Sequence, residues 1–187
     1  MKENEQHIIA AILAGKTDRF SYFLEQYGQQ VFHLIVRMVT SQEDAEELTQ
    51  DCFMKAFNHL SSFNGNSSFS TWLYRIAYNT ALSFLRKETA RQEIRITEQL
   101  WNTLSDEEVD QTLNTEDTVL IEKLQQLIKQ LSPEEQAILT FYYEEEKTIQ
   151  EIGYILHLSE ANTKVKLHRI RKKLSILMKQ EIINYEH

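Results

Sequence analysis

The chain has few of the residues that make turns and crosslinks, with four glycines, one proline and one cysteine among 187 residues. Because turn-rich β folds depend on glycine and proline, these counts favour an all-α fold. Cys52 is the only cysteine, so no intramolecular disulfide can form, which fits a reducing compartment. No apolar run approaches the roughly 20 residues of a membrane-spanning helix, and no signal-peptide cleavage site is evident. The sequence therefore predicts a soluble, cytoplasmic protein without direct membrane insertion.

Charge is distributed unevenly along the chain, whose net charge is −8. Residues 1–90 carry a net charge of −2, residues 91–118 carry −6, and the remainder is balanced. The acidic segment also has a weaker hydrophobic periodicity than its neighbours, which is typical of a solvated linker. We therefore predict two small helical domains, residues 1–90 and 118–187, joined by an acidic flexible linker at residues 91–117.

The first domain has the hydrophobic periodicity of three amphipathic helices. Apolar side chains recur at intervals of three and four residues within 18–39, 44–60 and 69–87, as one face of an α-helix requires. Ser41 precedes the second helix and predicts its N-cap. Residues 61–68, SSFNGNSS, break the pattern and are predicted to form a loop. The stripe of the first helix consists of Phe20, Phe23, Leu24, Tyr27, Val31, Leu34, Ile35 and Met38.

The second domain has two strong helix start signals. The sequence SPEE at 132–135 places Ser at the N-cap, Pro at the first helical position and Glu at the third. Thr148 and Glu151 have the spacing of a capping box, in which each side chain binds the backbone N–H of the other residue. These signals predict that one helix begins immediately after Ser132 and another immediately after Thr148.

Residues 149–173 have the pattern of a helix-turn-helix. A short helix carries the small residue Gly153 where a second helix must pass close, a turn follows at 157–159, and the second helix is basic. Basic side chains flank its apolar stripe on both sides, which suits a helix between the phosphate-lined walls of a DNA groove. The alternative is a solvated amphipathic helix, but such a face would mix in acids, and residues 161–180 contain none. The inward stripe is Leu167, Ile170, Leu174 and Leu177; the flanks are Lys164, His168 and Arg171, and Lys166, Arg169 and Lys173.

Aromatic, basic and amide side chains are interleaved in residues 63–87. This combination suits stacking on unpaired bases and hydrogen bonding to them. Aromatic residues at helical spacing are equally typical of a hydrophobic core, so the composition leaves both interpretations open. The residues concerned are Phe63, Phe69, Trp72, Tyr74 and Tyr78, with Asn64, Asn66, Asn79, Arg75, Arg86 and Lys87.

Other chemistries have little support in the sequence. The acids of residues 44–51 could supply a carboxylate pair, but neither a partner histidine nor a second carboxylate cluster accompanies them. No histidine follows a glutamate at the spacing of the Glu-x-x-His di-iron signature, and the histidines and Cys52 lack metal-ligand spacing. The segment AAILAGKT has Ala10 where a phosphate-binding loop needs its first glycine. We expect no catalytic site, no metal and no cofactor.

Taken in order, these blocks resemble a bacterial RNA polymerase sigma factor of the extracytoplasmic-function (ECF) group, over about residues 8–180. DAEELTQDCFMKAF resembles the region of that family that binds the clamp helices of core RNA polymerase. FNGNSSFSTWLYRIAYNTALSFLRK resembles the loop and helix that melt and read the minus-ten promoter element. LSPEEQAILTFYYEEEKTIQEIGYIL and LSEANTKVKLHRIRKKL resemble the fourth conserved region and its helix that reads the minus-thirty-five element.

The resemblance implies a region 2-like helical bundle, a region 4-like helix-turn-helix domain and promoter-specific transcription initiation. The implied partners are core RNA polymerase, promoter DNA and an anti-sigma factor. The implied contacts with core polymerase are Asp44, Glu46, Glu47, Gln50, Asp51 and Phe53. Those with minus-ten DNA are Phe63, Asn64, Asn66, Phe69, Trp72, Arg75 and Asn79. Those with minus-thirty-five DNA are Asn162, Thr163, Lys164, Lys166, His168, Arg169, Arg171 and Lys172.

One departure from the family concerns promoter choice. Many relatives carry Gly-Thr-Val where this chain has Ala161, Asn162 and Thr163, and because asparagine can pair bidentately with adenine, we expect a different base preference. The acidic linker resembles the family segment that threads through polymerase toward the RNA path.

Two alternatives to a sigma factor remain open. One is a stand-alone helix-turn-helix transcriptional regulator with an N-terminal sensor or dimerisation domain, and the other is a helical carboxylate metalloenzyme with bound iron or manganese.

Overall fold

The computed structural model describes residues 3–87, 105–114 and 117–185, and all regular structure within these ranges is helical. Three short helical turns, Thr17–Phe20, Leu60–Ser62 and Thr140–Glu144, accompany the α-helices. The α-helices of the described ranges are α1 (Glu3–Leu13), α2 (Ser21–Met38), α3 (Gln42–Asn58), α4 (Phe69–Lys87), α5 (Asp106–Leu113), α6 (Thr118–Lys129), α7 (Pro133–Leu139), α8 (Ile149–Leu156) and α9 (Glu160–Tyr185).

Helices α2, α3 and α4 pack against one another to form the core of the N-terminal domain. The periodicity of α2 correctly predicts its buried face, with Leu24 as an exception because 46% of that residue is exposed. The predicted N-cap of α3 is confirmed, since Ser41 Oγ accepts a hydrogen bond from the Asp44 N–H at 3.2 Å. The fully buried side chains of α2 are Phe23, Val31, Leu34, Ile35 and Met38.

Helices α6 to α9 form the C-terminal domain, and both predicted start signals are confirmed. Ser132 Oγ accepts a hydrogen bond from the Glu135 N–H at 3.3 Å, and the Ser132 N–H donates to the Glu135 carboxylate at 3.0 Å. Thr148 and Glu151 form the same reciprocal pair at the start of α8, with distances of 3.2 and 3.0 Å. These caps satisfy backbone donors that the first helical turn leaves unpaired.

The segment between α7 and α8 differs from the continuous helix that the sequence pattern suggests. Helix α7 ends at Leu139, and residues Thr140–Glu144 form a π-helical turn in which the Glu145 N–H donates to the Thr140 carbonyl at 3.0 Å. The wider turn buries Phe141 and leaves Tyr142 and Tyr143 exposed.

The two domains are in direct contact, which the sequence pattern does not predict. Helix α4 packs against α8, and α2 packs against α7. The rings of Tyr74 on α4 and Phe141 in the π-helical turn lie 5.7 Å apart between centroids. The cores of the two domains are therefore continuous through this contact.

Residues Asp106–Leu113 of the predicted linker form helix α5. Helix α5 packs along α9, with Val109 buried between them. Ser105 caps α5 through a further capping box, in which its N–H and hydroxyl both contact Glu108. The rest of the predicted linker, residues 91–104 and 115–116, lies outside the described residues.

Candidate nucleic-acid interface

The exposed face of α3 is acidic and contains one large apolar side chain. Glu46, Glu47 and Asp51 are exposed, and the side-chain amide of Gln42 donates to Glu46 at 3.1 Å. Met54 lies one helical turn beyond Asp51 and is 62% exposed. An exposed methionine among carboxylates suits binding to a partner that is basic at its edge and apolar at its centre.

The structure divides the predicted polymerase contacts of α3 into two groups. The acids and Gln50 face outward, except that Asp44 is half-buried. Phe53 lies in the core and forms an edge-to-face contact with Phe20, with ring centroids 6.5 Å apart. Phe53 therefore supports α3 from below and does not form part of its exposed face.

The loop between α3 and α4 exposes two asparagines and packs on aromatic side chains. The Asn66 N–H donates to the Asn64 side-chain oxygen at 3.1 Å, and Gly65 between them has a φ of 74°, which glycine adopts without strain. Both asparagine side chains are exposed. Ser68 then caps α4 by accepting a hydrogen bond from the Thr71 N–H at 3.1 Å.

The aromatic residues predicted near the loop belong mostly to the core. Phe69 is fully buried and stacks on Phe23 with ring centroids 3.9 Å apart, and Trp72 is also buried. Phe63 is half-buried and lies 5.3 Å from Trp72 between centroids. The composition left two interpretations open, and Phe69 and Trp72 fit the one in which the aromatic residues form the hydrophobic core. Among these three rings, only Phe63 is accessible enough to stack on a base.

The outward face of α4 is occupied by the C-terminal domain. Arg75 contacts both ring nitrogens of His157, at 3.3 and 3.0 Å, and its guanidinium lies 4.5 Å from the ring centroid of Tyr154. Thr71 donates to Glu151 at 2.7 Å, one turn earlier on the same face. Asn79 is half-buried farther along α4.

Two tyrosines of α4 strengthen this contact. Tyr74 donates a short hydrogen bond to Glu145, and Tyr78 donates to Glu134 at 3.4 Å. Burial is the largest cause that raises the pKa of each phenol, and the neighbouring carboxylate raises it further. Both phenols are therefore protonated donors at neutral pH.

The turn between α8 and α9 brings the two helices into close contact. A Cβ atom added at Gly153 would lie 2.8 Å from the Leu158 carbonyl oxygen, so only glycine fits there without movement. His157 ends α8 in the left-handed conformation, with φ 58° and ψ 39°. Ser159 then accepts a hydrogen bond from the Asn162 N–H at 3.2 Å at the start of α9. The predicted helix-turn-helix is confirmed.

Helix α9 buries most of its predicted apolar stripe and presents a different set of residues outward. Leu167, Ile170 and Leu174 are buried, whereas Leu177 is half-buried. On the opposite side, Asn162, Val165 and Arg169 are exposed and recur at intervals of three and four residues, which places them in one outward line. Val165 is 48% exposed and is absent from the sequence-based site. Its position two residues before Leu167, off the inward stripe, is the signal that could have identified it.

The other predicted minus-thirty-five contacts have mixed surroundings. Lys164, His168 and Arg169 are exposed. Lys166 pairs with Glu134 at 2.9 Å, and Arg171 pairs with Asp110 of α5. Lys172 is half-buried, and Lys173 is buried in an ion pair with Glu135 at 2.9 Å, so Lys173 belongs to the domain core.

Thr163 is the predicted base contact that the structure does not place on the exposed face. Its side chain is fully buried, its hydroxyl donates to the Ser159 carbonyl at 3.0 Å, and it lies beside Gly153. The residue packs α9 against α8. Of the two polar residues in Ala161–Asn162–Thr163, where many relatives have Gly-Thr-Val, only Asn162 faces outward at the start of the helix.

Comparisons with known proteins identify the same two domains. The sigma-70 region 2 family matches residues 23–91, and the sigma-70 region 4 family matches residues 121–174. The ECF RNA polymerase sigma factor SigW of Bacillus subtilis (strain 168) is 31% identical over 174 residues, which is 89% of this chain and 92% of SigW. The chain belongs to the ECF family of RNA polymerase sigma factors. As a sigma factor, it binds core RNA polymerase and directs promoter-specific initiation.

Further relatives of this ECF sigma factor agree with that assignment. RNA polymerase sigma factor YlaC of Bacillus subtilis (strain 168) is 35% identical, over 84% of this chain and 90% of YlaC. A solved structure of the sigma factor RpoE in complex with the anti-sigma factor NepR from Bartonella quintana has a TM-score of 0.60. That likeness covers 86% of this chain and 96% of the other at 18% identity, so it supports the fold. A stand-alone regulator is not favoured, because the N-terminal domain is sigma region 2.

Proposed function

We propose that this sigma factor divides its work among three surfaces: the outward face of α3, the loop at residues 63–68 with α4, and the N-terminal half of α9. The observation that carries the proposal is the charge on these surfaces. Helix α3 exposes acids, whereas α9 has no acid from residue 161 to residue 180. The acidic face suits a protein partner, and the basic helix suits DNA.

The face of α3 is the proposed contact with core polymerase. Asp44, Glu46, Glu47, Gln50 and Asp51 supply its polar part, and Met54 extends it with an exposed apolar side chain. Charged side chains at such a contact orient the partner, while an exposed methionine adds buried area once the complex forms.

The loop and α4 are the proposed contact with the minus-ten element. Asn64 and Asn66 supply amide donors and acceptors for an unpaired base, and Phe63 supplies an accessible ring on which it can stack. Phe69 and Trp72 hold the loop from below. Arg75 can reach the strand only after the C-terminal domain moves away, because it is bound to His157 and Tyr154. Asn79, half-buried one turn farther along α4, is the other proposed contact of this helix.

The outward line of α9 is the proposed contact with the minus-thirty-five element. Asn162 can pair with adenine, and Val165 can contact the methyl group of thymine in the major groove. Arg169 at the end of this line and Lys164 and His168 beside it are exposed and suit phosphates. The first two turns of α9 would then contact bases, and the next two turns would bind the phosphate backbone of the DNA.

An anti-sigma factor is the proposed regulator. The solved relatives include RpoE with the anti-sigma factor NepR and CnrH with the cytosolic domain of CnrY, the latter with a TM-score of 0.58. An inhibitor that holds the two domains together would keep Arg75 from DNA. We propose a cytoplasmic protein with no catalytic activity of its own; no helix in the described ranges is long and apolar enough to cross a membrane.

Co-elution with bacterial core RNA polymerase in gel filtration tests the assignment of α3. The wild-type protein should elute with core polymerase, and Asp51→Lys should reduce the co-eluting fraction. Arg169→Glu, a charge reversal on α9, is the matched control and should leave co-elution unchanged while weakening promoter binding by the complex. The same defect in both variants would refute the division among surfaces.

A further inference from the structure

Helix α5 of the acidic segment lies along α9 and pairs with Arg171 near the middle of that helix and with Lys179 two turns later. Asp110 pairs with Arg171, and a Glu108 carboxylate oxygen lies 3.4 Å from Lys179 Nζ. Val109, between the two acids, is only 4% exposed, and Leu113 packs against the core of the C-terminal domain. The contact therefore combines an apolar centre with ion pairs on its edge.

The part of α9 under α5 continues one of its proposed DNA-binding walls. Arg171, Ser175 and Lys179 recur every four residues and share one face of the helix. Arg171 and Lys179 pair with acids of α5, and Ser175 between them is fully buried. Lys164 and His168 precede them on the same side, so α5 covers the C-terminal continuation of that wall.

Three features of the contact between α5 and α9 would ease its opening. Arg171 Nε is buried without a hydrogen-bond partner among the described residues, and because Arg171 pairs with Asp110 of α5, this atom would regain water if α5 moved away. A cavity of about 500 Å³ lies beside α5, lined in part by Leu113, Tyr143 and Arg171. The two ion pairs are partly exposed, so they hold α5 only weakly.

Local features keep α5 helical and charged while it is bound. The Ser105 capping box fixes its first turn. Hydrogen bonds from the Ser105 N–H and then from Lys179 hold the pKa of Glu108 below its ordinary value, so this carboxylate is ionised at neutral pH. A helix of eight residues is too short to persist alone in water, so α5 depends on α9 for its structure.

We propose that α5 is an intramolecular ligand of α9, an acidic cover that competes with DNA phosphates for Arg171 and Lys179. The cover lowers the affinity of the free protein for duplex DNA, and its release restores that affinity. Displacement of the acidic segment on binding to polymerase would provide the release. This inference rests on the proposed binding of duplex DNA by α9.

Duplex binding by the full chain tests the cover. Binding of a fluorescein-labelled duplex of arbitrary sequence is measured by anisotropy at low salt, without polymerase. Glu108→Gln/Asp110→Asn should bind about five-fold more tightly than wild type, because it raises the fraction of molecules with α9 uncovered. Glutamine retains the capping box at position 108, so α5 can still form.

The matched control removes the same charge elsewhere. Glu122 and Glu146 are exposed carboxylates of the C-terminal domain, and Glu122→Gln/Glu146→Gln should leave the affinity within about two-fold of wild type. An equal gain in both double variants would show that only net charge matters, and it would overturn the proposal. An unchanged affinity in Glu108→Gln/Asp110→Asn would also overturn it.

A second experiment fixes the cover in place. Glu108→Cys/Lys179→Cys, joined by a short bismaleimide, should crosslink within the molecule and bind the duplex more weakly than the same protein before crosslinking. The native Cys52 should not compete, because burial raises the pKa of its thiol to about 12. Failure to crosslink, or unchanged duplex binding afterwards, would contradict the docking of α5 as a competitor.

Arg169→Glu tests the binding of duplex DNA by α9 independently of the cover formed by α5. Arg169 is exposed on α9, and its reversal should weaken duplex binding at least ten-fold if α9 binds DNA, since one attractive charge is replaced by a repulsive one. If this loss occurs while the α5 variants match wild type, the cover is wrong and the role of α9 stands. If Arg169→Glu binds as wild type does, both are wrong.

Discussion

At the scale of single residues, Gly153 and His157 decide how α8 meets α9. Gly153 could be predicted from the sequence, because a helix-turn-helix needs a small residue where its helices approach. The left-handed conformation of His157 could not, because histidine adopts it more often than most residues but still uncommonly, and the path of the chain selects it here. The burial of Thr163 could not be predicted either: its hydroxyl suits a contact with a base, but the crossing of the two helices buries it.

Gly153→Ala should destabilise the protein. The added Cβ would lie 2.8 Å from the Leu158 carbonyl oxygen and 3.2 Å from Thr163 Oγ1, so the backbone must shift, at an expected cost of about 1–3 kcal/mol. The control is Gly28→Ala in α2, where nothing lies within 4 Å of the added Cβ. That substitution should stabilise by about 0.5–1 kcal/mol, because alanine favours the helix. Urea unfolding of both variants measures the difference, and equal stabilities would contradict the close contact.

The pKa of His157 should lie below its ordinary value of 6.5, because burial and the adjacent Arg75 guanidinium both disfavour the imidazolium. The domain contact therefore favours neutral His157 and loses this contribution as pH falls through the lowered pKa. An NMR titration of the His157 ring measures it. Arg75→Gln should raise the pKa, and an unchanged value in that variant would show that Arg75 has no influence.

At the scale of elements, local signals in the sequence account for most helix boundaries. Ser41, Ser132 and Thr148 cap helices as predicted, because a capping bond involves residues only three positions apart. The π-helical turn after Leu139 and the docking of α5 on α9 could not be predicted. Both depend on packing between residues that are distant in the sequence.

On α3, Met54→Asp should weaken binding to core polymerase without unfolding the domain. Met54 is 62% exposed, so its replacement removes little from the core. Loss of an apolar contact from the centre of an interface costs about 1–2 kcal/mol, or roughly ten-fold in affinity. Leu24→Asp on α2 is a matched control at another exposed apolar residue. Equal affinities of Met54→Asp and wild type in a pull-down titration would exclude Met54 from the interface.

On α9, Asn162→Ala and Lys164→Ala should affect DNA binding differently. Loss of Asn162 should reduce discrimination between promoter sequences by about 1–3 kcal/mol at one base pair. Loss of Lys164 should weaken binding to all sequences and lower the salt dependence by about one unit of slope. Competition titrations at several salt concentrations distinguish them. Lys164 pairs with Glu160 of the same helix at 2.7 Å in an exposed contact, whereas Arg171 is unsuitable for this comparison because its partner Asp110 belongs to α5.

At the scale of the whole molecule, the structure holds the two domains together across α4. The sequence predicts each domain from its own periodicity, whereas their contact joins residues 56 to 111 positions apart, such as Tyr78 with Glu134 and His33 with Glu144. We propose that α4 reads minus-ten DNA. The contact shows that one face of α4 is covered while the domains are together.

Glu144→Lys should open the molecule. Glu144 pairs with His33 at 2.6 Å and with Arg37 at 3.0 Å on α2, so a lysine there would repel the guanidinium. Small-angle X-ray scattering should then give a larger radius of gyration. Glu146→Lys makes the same charge change at an exposed neighbour and should leave the radius unchanged. Equal radii in the two variants would show that Glu144 does not hold the domains together.

The most direct test of the account is transcription by core polymerase on genomic DNA of the source organism, with transcript 5′ ends sequenced with and without this protein. We expect a small set of start sites that appear only when the protein is added and that share sequences near minus ten and minus thirty-five. Arg169→Glu should lose these starts while still binding polymerase. The same distribution of start sites with and without the protein would contradict the account.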